Sequence, residues 1–408
     1  MILRGAGVPG AARRRVLVVA LLLATLSLGG WPATDAADAH RAAAQSAMVT
    51  TASPTLHAKG GGGAAATTRS WTPPVRPVNT LACTVEEECD CGPPRAPVVE
   101  REAGGNRYGT AAELVPRFRN TVSTVYIVNG NAFPDAASAA AAAGAGVVPD
   151  RWRGRAWAPA PLLLTGRDSL PAPTRAALES LSLERIVIVG GTGVVSEAVR
   201  DELGRYADPV LRVGGRSRYA VSALLAERFP ADTDTVYVAS GEDGSLADAL
   251  TGGALAAQEG APVLLTRPDR VDPATREALD VLNPARTVVL GGPNAVSSEV
   301  YDRIGADARL DGDNRYGTAV AVARRFGAEQ PGAFLASGRA YADALTGAAL
   351  AGSLRQPLLL SGSERIPDEV MGELDRLSPA RFTLLGGTGP LSLAVEDQAN
   401  RHYPTWIR

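Results

Sequence analysis

The sequence predicts an α/β fold made of three tandem repeats, each carrying a largely parallel sheet. Five short motifs recur three times in one order, the intervals between them are nearly constant, and short apolar runs alternate with stretches of helix length.

Each copy opens on an entry motif: Gly104-Gly-Asn-Arg107-Tyr108-Gly-Thr110-Ala, Gly215-Arg-Ser-Arg218-Tyr219-Ala-Val221-Ser and Gly312-Asp-Asn-Arg315-Tyr316-Gly-Thr318-Ala. A strand-like run follows, Val125-Tyr-Ile-Val128, Val236-Tyr-Val-Ala239 and Ala333-Phe-Leu-Ala336, and then an acidic motif centred on Asp135, Asp248 and Asp343. Next come Pro161-Leu-Leu-Leu-Thr165, Pro262-Val-Leu-Leu-Thr266 and Pro357-Leu-Leu-Leu-Ser361, with proline at the strand start, where a missing N–H does least harm. Each copy closes on an apolar run into Gly190-Gly191, Gly291-Gly292 or Gly386-Gly387, and Ser196, Ser297 or Ser392 then starts a last helix.

The interval from proline to double glycine is 29 residues in all three copies. From the entry arginine to the aspartate it is 28, 30 and 28. Only the step from aspartate to proline differs, 26 residues in the first copy against 14 in the others, so the first copy holds about twelve extra residues near 144–158. The runs are uniformly apolar rather than alternating, as in parallel strands covered on both faces. Asp272-Pro-Ala-Thr reads as an acidic N-cap with proline at the first helical position, Pro367-Asp-Glu-Val as the same device, and Ser297-Ser-Glu-Val as a serine cap. The Ala- and Gly-rich helix over 249–257 suits close packing against neighbours. The units are therefore Rossmann-like or Toprim-like βα repeats, at 101–206, 207–307 and 308–408.

Residues 1–39 read as a signal peptide: Arg4 and Arg13-Arg14-Arg15 precede an apolar run from Val16 to Leu28, followed by small residues at Ala36, Ala37 and Ala39. That run is shorter than the roughly 20 residues a spanning helix needs. Residues 40–100, with Gly60–Gly63 and prolines at 73, 74, 77, 93, 94 and 97, read as a disordered, flexible linker. Cys83, Cys89 and Cys91 fall in this segment without a fourth metal ligand, which favours one local disulfide and a free thiol over a metal site.

The net charge of −2 gives no global field to recruit nucleic acid or a membrane surface. No cofactor or metal is called for. The double glycines match neither G-x-G-x-x-G nor the P-loop pattern, and Lys59 is the sole lysine. The repeated Asp135, Asp248 and Asp343 stand where strand meets helix, as caps or as partners of Arg107, Arg218 and Arg315. A ligand role at that sheet edge is the other reading. His40, His57 and His402 lie outside the repeats' motifs, and no Cys/His pair, H-E-x-x-H or G-x-S-x-G is present. The first copy's insert carries Arg151, Trp152, Arg153, Arg155 and Trp157, a combination of anion attraction and flat aromatic faces that suits a sugar polymer. The alternative is a loop whose tryptophans fold back onto the core.

The N/S-R-Y entry, the P-D-A or A-D-A-L segment, the P-x-L-L run and the terminal Gly-Gly, in this order and in triplicate, resemble the cell wall-binding repeat 2 family over about residues 101–402. The resemblance implies a non-catalytic module of exported proteins of Gram-positive bacteria, in three copies around a pseudo-threefold axis. It implies non-covalent attachment to the cell wall through an anionic polymer, at the cell surface. It assigns retention to the P-x-L-L segment, here Pro161, Leu163, Leu164, Pro262, Leu264, Leu265, Pro357, Leu359 and Leu360, whose leucines look buried and so would act through folding. Copy two departs at Ala220-Val221 and copy one at Ala136-Ala137-Ser138 and in its insert. An exported enzyme acting on wall polymer, of amidase or hydrolase type, and a soluble-ligand receptor are the alternative functions. Nucleic acid is not an expected partner, and a membrane would be met only through an uncleaved signal segment.

Overall fold

The computed structural model describes residues 98–118, 122–147, 158–230 and 233–403. The signal peptide, most of the linker with its three cysteines, and the Arg151–Trp157 insert lie outside the described residues.

The first stretch runs β1 (Val98–Glu102), α1 (Arg107–Glu113), β2 (Thr124–Asn129), α2 (Phe133–Ala145), β3 (Leu162–Thr165), α3 (Ala172–Glu179), β4 (Arg185–Val189) and α4 (Glu197–Leu203). The second runs β5 (Val210–Val213), α5 (Arg218–Ala226), β6 (Thr235–Ser240), α6 (Leu246–Glu259), β7 (Val263–Thr266), α7 (Pro273–Leu282), β8 (Arg286–Leu290) and α8 (Ser298–Ile304). The third runs β9 (Ala308–Leu310), α9 (Arg315–Ala323), β10 (Ala333–Ser337), α10 (Tyr341–Leu354), β11 (Leu358–Ser361), α11 (Asp368–Leu377), β12 (Arg381–Leu385) and α12 (Leu393–His402).

These strands make three four-stranded sheets, in orders β3-β2-β4-β5, β7-β6-β8-β9 and β11-β10-β12-β1. Every pairing is parallel. The fourth strand of each sheet is thus lent by the segment that opens the next copy. The lending is cyclic: β1, at the start of the first copy, pairs with β12 of the last, Val98 opposite Arg381 and Glu102 opposite Leu385. Three repeats are joined into a ring by one rule applied three times.

Strand β1 begins at Val98, inside the segment whose composition reads as linker. Its partner lies nearly 300 residues away, so no local pattern marks it. The inner strands are buried along their length, Val125 to Val128 and Ile186 to Val189 at 0% exposure, because helices cover both faces.

Helices α2, α6 and α10 pack on one another at the centre, and each also meets the entry helix of the next copy: α2 with α5, α6 with α9, α10 with α1. Small residues allow this approach. A Cβ at Gly144 would stand 2.8 Å from both the Cβ of Ala257 and the carbonyl oxygen of Ala349, and one at Gly352 would stand 2.4 Å from the Ala257 Cβ. The outer helices are amphipathic instead, as α7 shows by burying Thr275, Ala278, Leu279 and Leu282.

The capping expectations hold in the first two copies and depart twice in the third. Asp272 accepts from the Ala274 amide, and Ser196 and Ser297 accept from the amides of Val199 and Val300. In the third copy Pro367 is itself the N-cap, with no side-chain bond, and α11 starts at Asp368. Ser392 also makes no cap bond, so that helix end is closed by its backbone turn alone.

Candidate functional site

The chemistry-bearing motifs converge at the joints between copies, outside the carboxyl ends of the strands. In the entry motif the Asn or Ser caps its helix. Asn106 Oδ1 accepts from the amides of Tyr108 and Gly109, Asn314 Oδ1 from those of Tyr316 and Gly317, and Ser217 Oγ from that of Ala220. The following arginine turns back over the central strand of its own sheet. Arg107 donates to the Gly130 carbonyl at 2.6 Å, Arg218 to Gly241 at 2.5 Å and Arg315 to Gly338 at 2.6 Å. The tyrosine covers the same glycine: a Cβ at Gly130, Gly241 or Gly338 would lie 3.0, 2.6 or 2.7 Å from a ring carbon of Tyr108, Tyr219 or Tyr316.

The repeated aspartate is not a cap. Asp135, Asp248 and Asp343 sit in the first turn of the central helices, after N-caps Ala132, Ser245 and Ala340 that make no side-chain bond. Each faces the next copy. Asp248 is hydrogen-bonded by Thr318 and feels the charge of Arg315, Asp343 is hydrogen-bonded by Thr110 and feels Arg107, and Asp135 feels Arg218. The arginine–aspartate pairing expected from the sequence is therefore an interaction between copies, acting through space while the guanidinium bonds a carbonyl. In the second copy Val221 stands where the others have Thr110 and Thr318, so the joint at Asp135 lacks that hydroxyl.

Burial dominates the ionisation of all three. It pushes each carboxyl above the usual range, Asp248 to about 6, with the neighbouring Asp311 adding to the rise. Oδ1 of Asp343 is buried without a hydrogen-bond partner. The carboxylates rest on the first glycine of each Gly-Gly turn, whose φ is +118° at Gly190, +97° at Gly291 and +100° at Gly386. A Cβ there would lie 2.3 Å from Asp248 Oδ2 at Gly291, 2.3 Å from Asp343 Oδ2 at Gly386 and 3.4 Å from Asp135 Oδ2 at Gly190. The double glycine serves a left-handed turn and this contact.

A second arginine per joint escaped the sequence reading. Arg101 on β1 donates to the Gly386 carbonyl at 2.8 Å, Arg212 on β5 to Gly190 at 3.0 Å and Arg309 on β9 to Gly291 at 2.6 Å. Arg101 also pairs with Glu396 at 2.8 Å. A signal was present: each stands six residues before its entry arginine.

The P-x-L-L leucines lie in strands β3, β7 and β11, each proline standing immediately before its strand. Leu163, Leu164, Leu264, Leu265, Leu359 and Leu360 are all at 0% exposure, and Pro161, Pro262 and Pro357 are buried. The proline carbonyls accept from the amides of Tyr126, Tyr237 and Phe334. These residues are closed to a polymer in the folded chain. The Arg151, Trp152, Arg153, Arg155 and Trp157 candidates lie outside the described residues.

At the joint between the second and third copies lies a groove of about 630 Å³, lined by Ser245, Asp248, Asn294, Asp311, Asp313 and Arg315 among others. Among the described residues no group of three or more His, Cys, Asp or Glu is placed to hold a metal. None of their helices is long and apolar enough to cross a membrane.

The family profile described as Cell wall binding domain 2 (CWB2) matches residues 101–200, 212–301 and 309–396. The chain is 30% identical over 301 residues to N-acetylmuramoyl-L-alanine amidase LytC of Bacillus subtilis (strain 168), covering 74% of this chain and 58% of the relative. It is 26% identical over 303 residues to the Amidase enhancer of the same organism, covering 74% and 40%. The chain thus spans between two fifths and three fifths of these relatives. Among solved structures it resembles Cwp6 from Clostridium difficile (TM-score 0.67, 24% identity, 79% of this chain and 51% of that one). It also resembles Cwp8 from the same organism (TM-score 0.64, 27% identity, 76% and 52%).

Proposed function

This chain belongs to the cell wall binding domain 2 family, and on that footing we propose that it is an exported, non-catalytic protein held non-covalently on the cell wall by multivalent binding of an anionic wall polymer. The observation that carries this reading is the cyclic joint. One constellation of aspartate, double glycine and two arginines occurs three times, and each copy's aspartate is committed to holding the next copy. A reaction centre uses a singular set of groups with an accessible acid, base or nucleophile. Three like surfaces around a ring suit a repeating polymer instead, where several weak contacts add avidity.

Export rests on the signal-like segment at residues 1–39, and the arginine-dominated positive charge suits phosphate or carboxylate groups along a wall polymer. LytC bears the name of an amidase, but the likeness covers 58% of it, so that activity is not carried to this chain. The test is a pull-down of the full chain with purified walls, with the supernatant assayed for released sugar and peptide. Retention without release is the expected result. Soluble fragments above the buffer control would make it a wall hydrolase, and absence of retention would remove the anchor.

A further inference from the structure

The three joints share a backbone but not a charge. Each is lined by the loop after the central strand, the Gly-Gly turn and the entry segment of the next copy, as in the groove between copies two and three. Four residues before the entry arginine the chain has Ala103, Gly214 and Asp311, and two before it Gly105, Arg216 and Asp313. In the loop after the central strand the first sheet presents Asn131, the second Glu242 and Asp243, and the third Arg339. All of these positions are exposed, so the outward charges differ joint by joint. The second sheet's edge shows four exposed carboxylates, from Glu242, Asp243, Asp311 and Asp313. Of these Asp243 is paired with Arg218 at 2.8 Å and Glu242 is bonded by the Tyr219 hydroxyl. The first edge shows Arg216 where the second has Asp313, and the third shows Arg339 where the second has Glu242.

We infer that an anionic wall polymer is gripped at the edges of the first and third sheets and kept off the edge of the second, with Asp311 and Asp313 as the residues that exclude it. This rests on the anionic-polymer reading above. The groove between the second and third copies is then one the polymer avoids. Asp311, which also feels Arg309, and the exposed Asp313 repel a phosphate or carboxylate brought within about 10 Å of the entry segment, and two such repulsions multiply to about fivefold in affinity at low salt. Of the three backbone-equivalent edges, two do the holding. The polymer therefore crosses the ring over the two joints that flank the first copy, and the joint between the second and third copies is left empty.

The experiment is co-sedimentation of the full chain with purified walls, at low and at high ionic strength, alongside walls stripped of their anionic polymers. Two variants remove the carboxylates: Asp311→Ala with Asp313→Gly, which installs the first copy's residues, and the isosteric Asp311→Asn with Asp313→Asn. A third, Arg216→Gly, removes the first edge's cation. Thermal melting confirms that each is folded. Both carboxylate-free variants are expected to bind intact walls about fivefold more tightly than wild type at low salt, with the gain fading as salt rises. Arg216→Gly is expected to bind about two- to threefold more weakly. Unchanged or weaker binding by folded carboxylate-free variants, with wild type binding normally, overturns the exclusion. Equal binding of wild type to intact and stripped walls instead removes the anionic-polymer reading, and the proposal with it.

Discussion

Arg101 and Gly386 are 285 positions apart in sequence, and the arginine donates to the glycine carbonyl at 2.8 Å. This bond fastens the first strand of the folded chain to the last sheet and closes the ring. Its counterparts, Arg212 to Gly190 and Arg309 to Gly291, join neighbours along the chain; Arg101 alone joins its two ends.

Replacing Arg101 with alanine is expected to destabilise the ring by about 2–3 kcal/mol, since a charged donor to a buried carbonyl and a partner of Glu396 go together. Urea unfolding measures it. An unchanged midpoint would show that β1's backbone pairing, with the bonds of Glu100 to Arg381 and Thr383, closes the ring without Arg101.

Gly291→Ala and Gly190→Ala separate two costs of the double glycine. Both meet a positive φ, but only at Gly291 does the new Cβ lie 2.3 Å from a buried carboxylate oxygen, against 3.4 Å at Gly190. The expected loss is about 1–2 kcal/mol at Gly190 and at least about 1 kcal/mol more at Gly291. Equal melting temperatures for the two variants would contradict the contact.

Asp248 makes stability depend on pH. Its folded carboxyl is raised from the ordinary 3.8 to about 6, chiefly by burial, so the folded chain holds a proton that the unfolded chain has released between those values. Stability therefore falls as pH rises from about 4 to about 6 and is level above, by about 2–3 kcal/mol from this group. Asp248→Asn is expected to flatten that slope in denaturation curves collected across the window. A slope of the same size in the variant would assign it to other groups.

Leu264→Ala opens a cavity in a strand at 0% exposure and is expected to cost about 2–5 kcal/mol. Wall binding should fall only as the folded fraction falls, read by circular dichroism and co-sedimentation of the same sample. A fully folded variant that no longer binds would give the leucine a contact role.

Much of the fold was legible because the motifs are local and repeated. The 29-residue interval between proline and double glycine corresponds to one strand, helix and strand, and the buried runs were readable as strands covered on both faces. The cyclic exchange of the fourth strand was not legible. β5 and β9 are four- and three-residue segments with mostly half-buried side chains, and β1 finds its partner at the far end of the chain. At the joints, Asp248 and Arg315 were readable as a repeated pair, but not as a pair between copies, since every copy holds both types and sequence does not say which meets which. Arg101, Arg212 and Arg309 had a fixed offset that only their shared carbonyl contact makes meaningful.

The measurement that bears most directly on wall attachment is the binding isotherm of the full chain on purified walls before and after chemical removal of their anionic polymers. The expected result is saturable binding to intact walls, weakened by salt, with a loss of at least tenfold on stripped walls. Undiminished, salt-independent binding to stripped walls would contradict it.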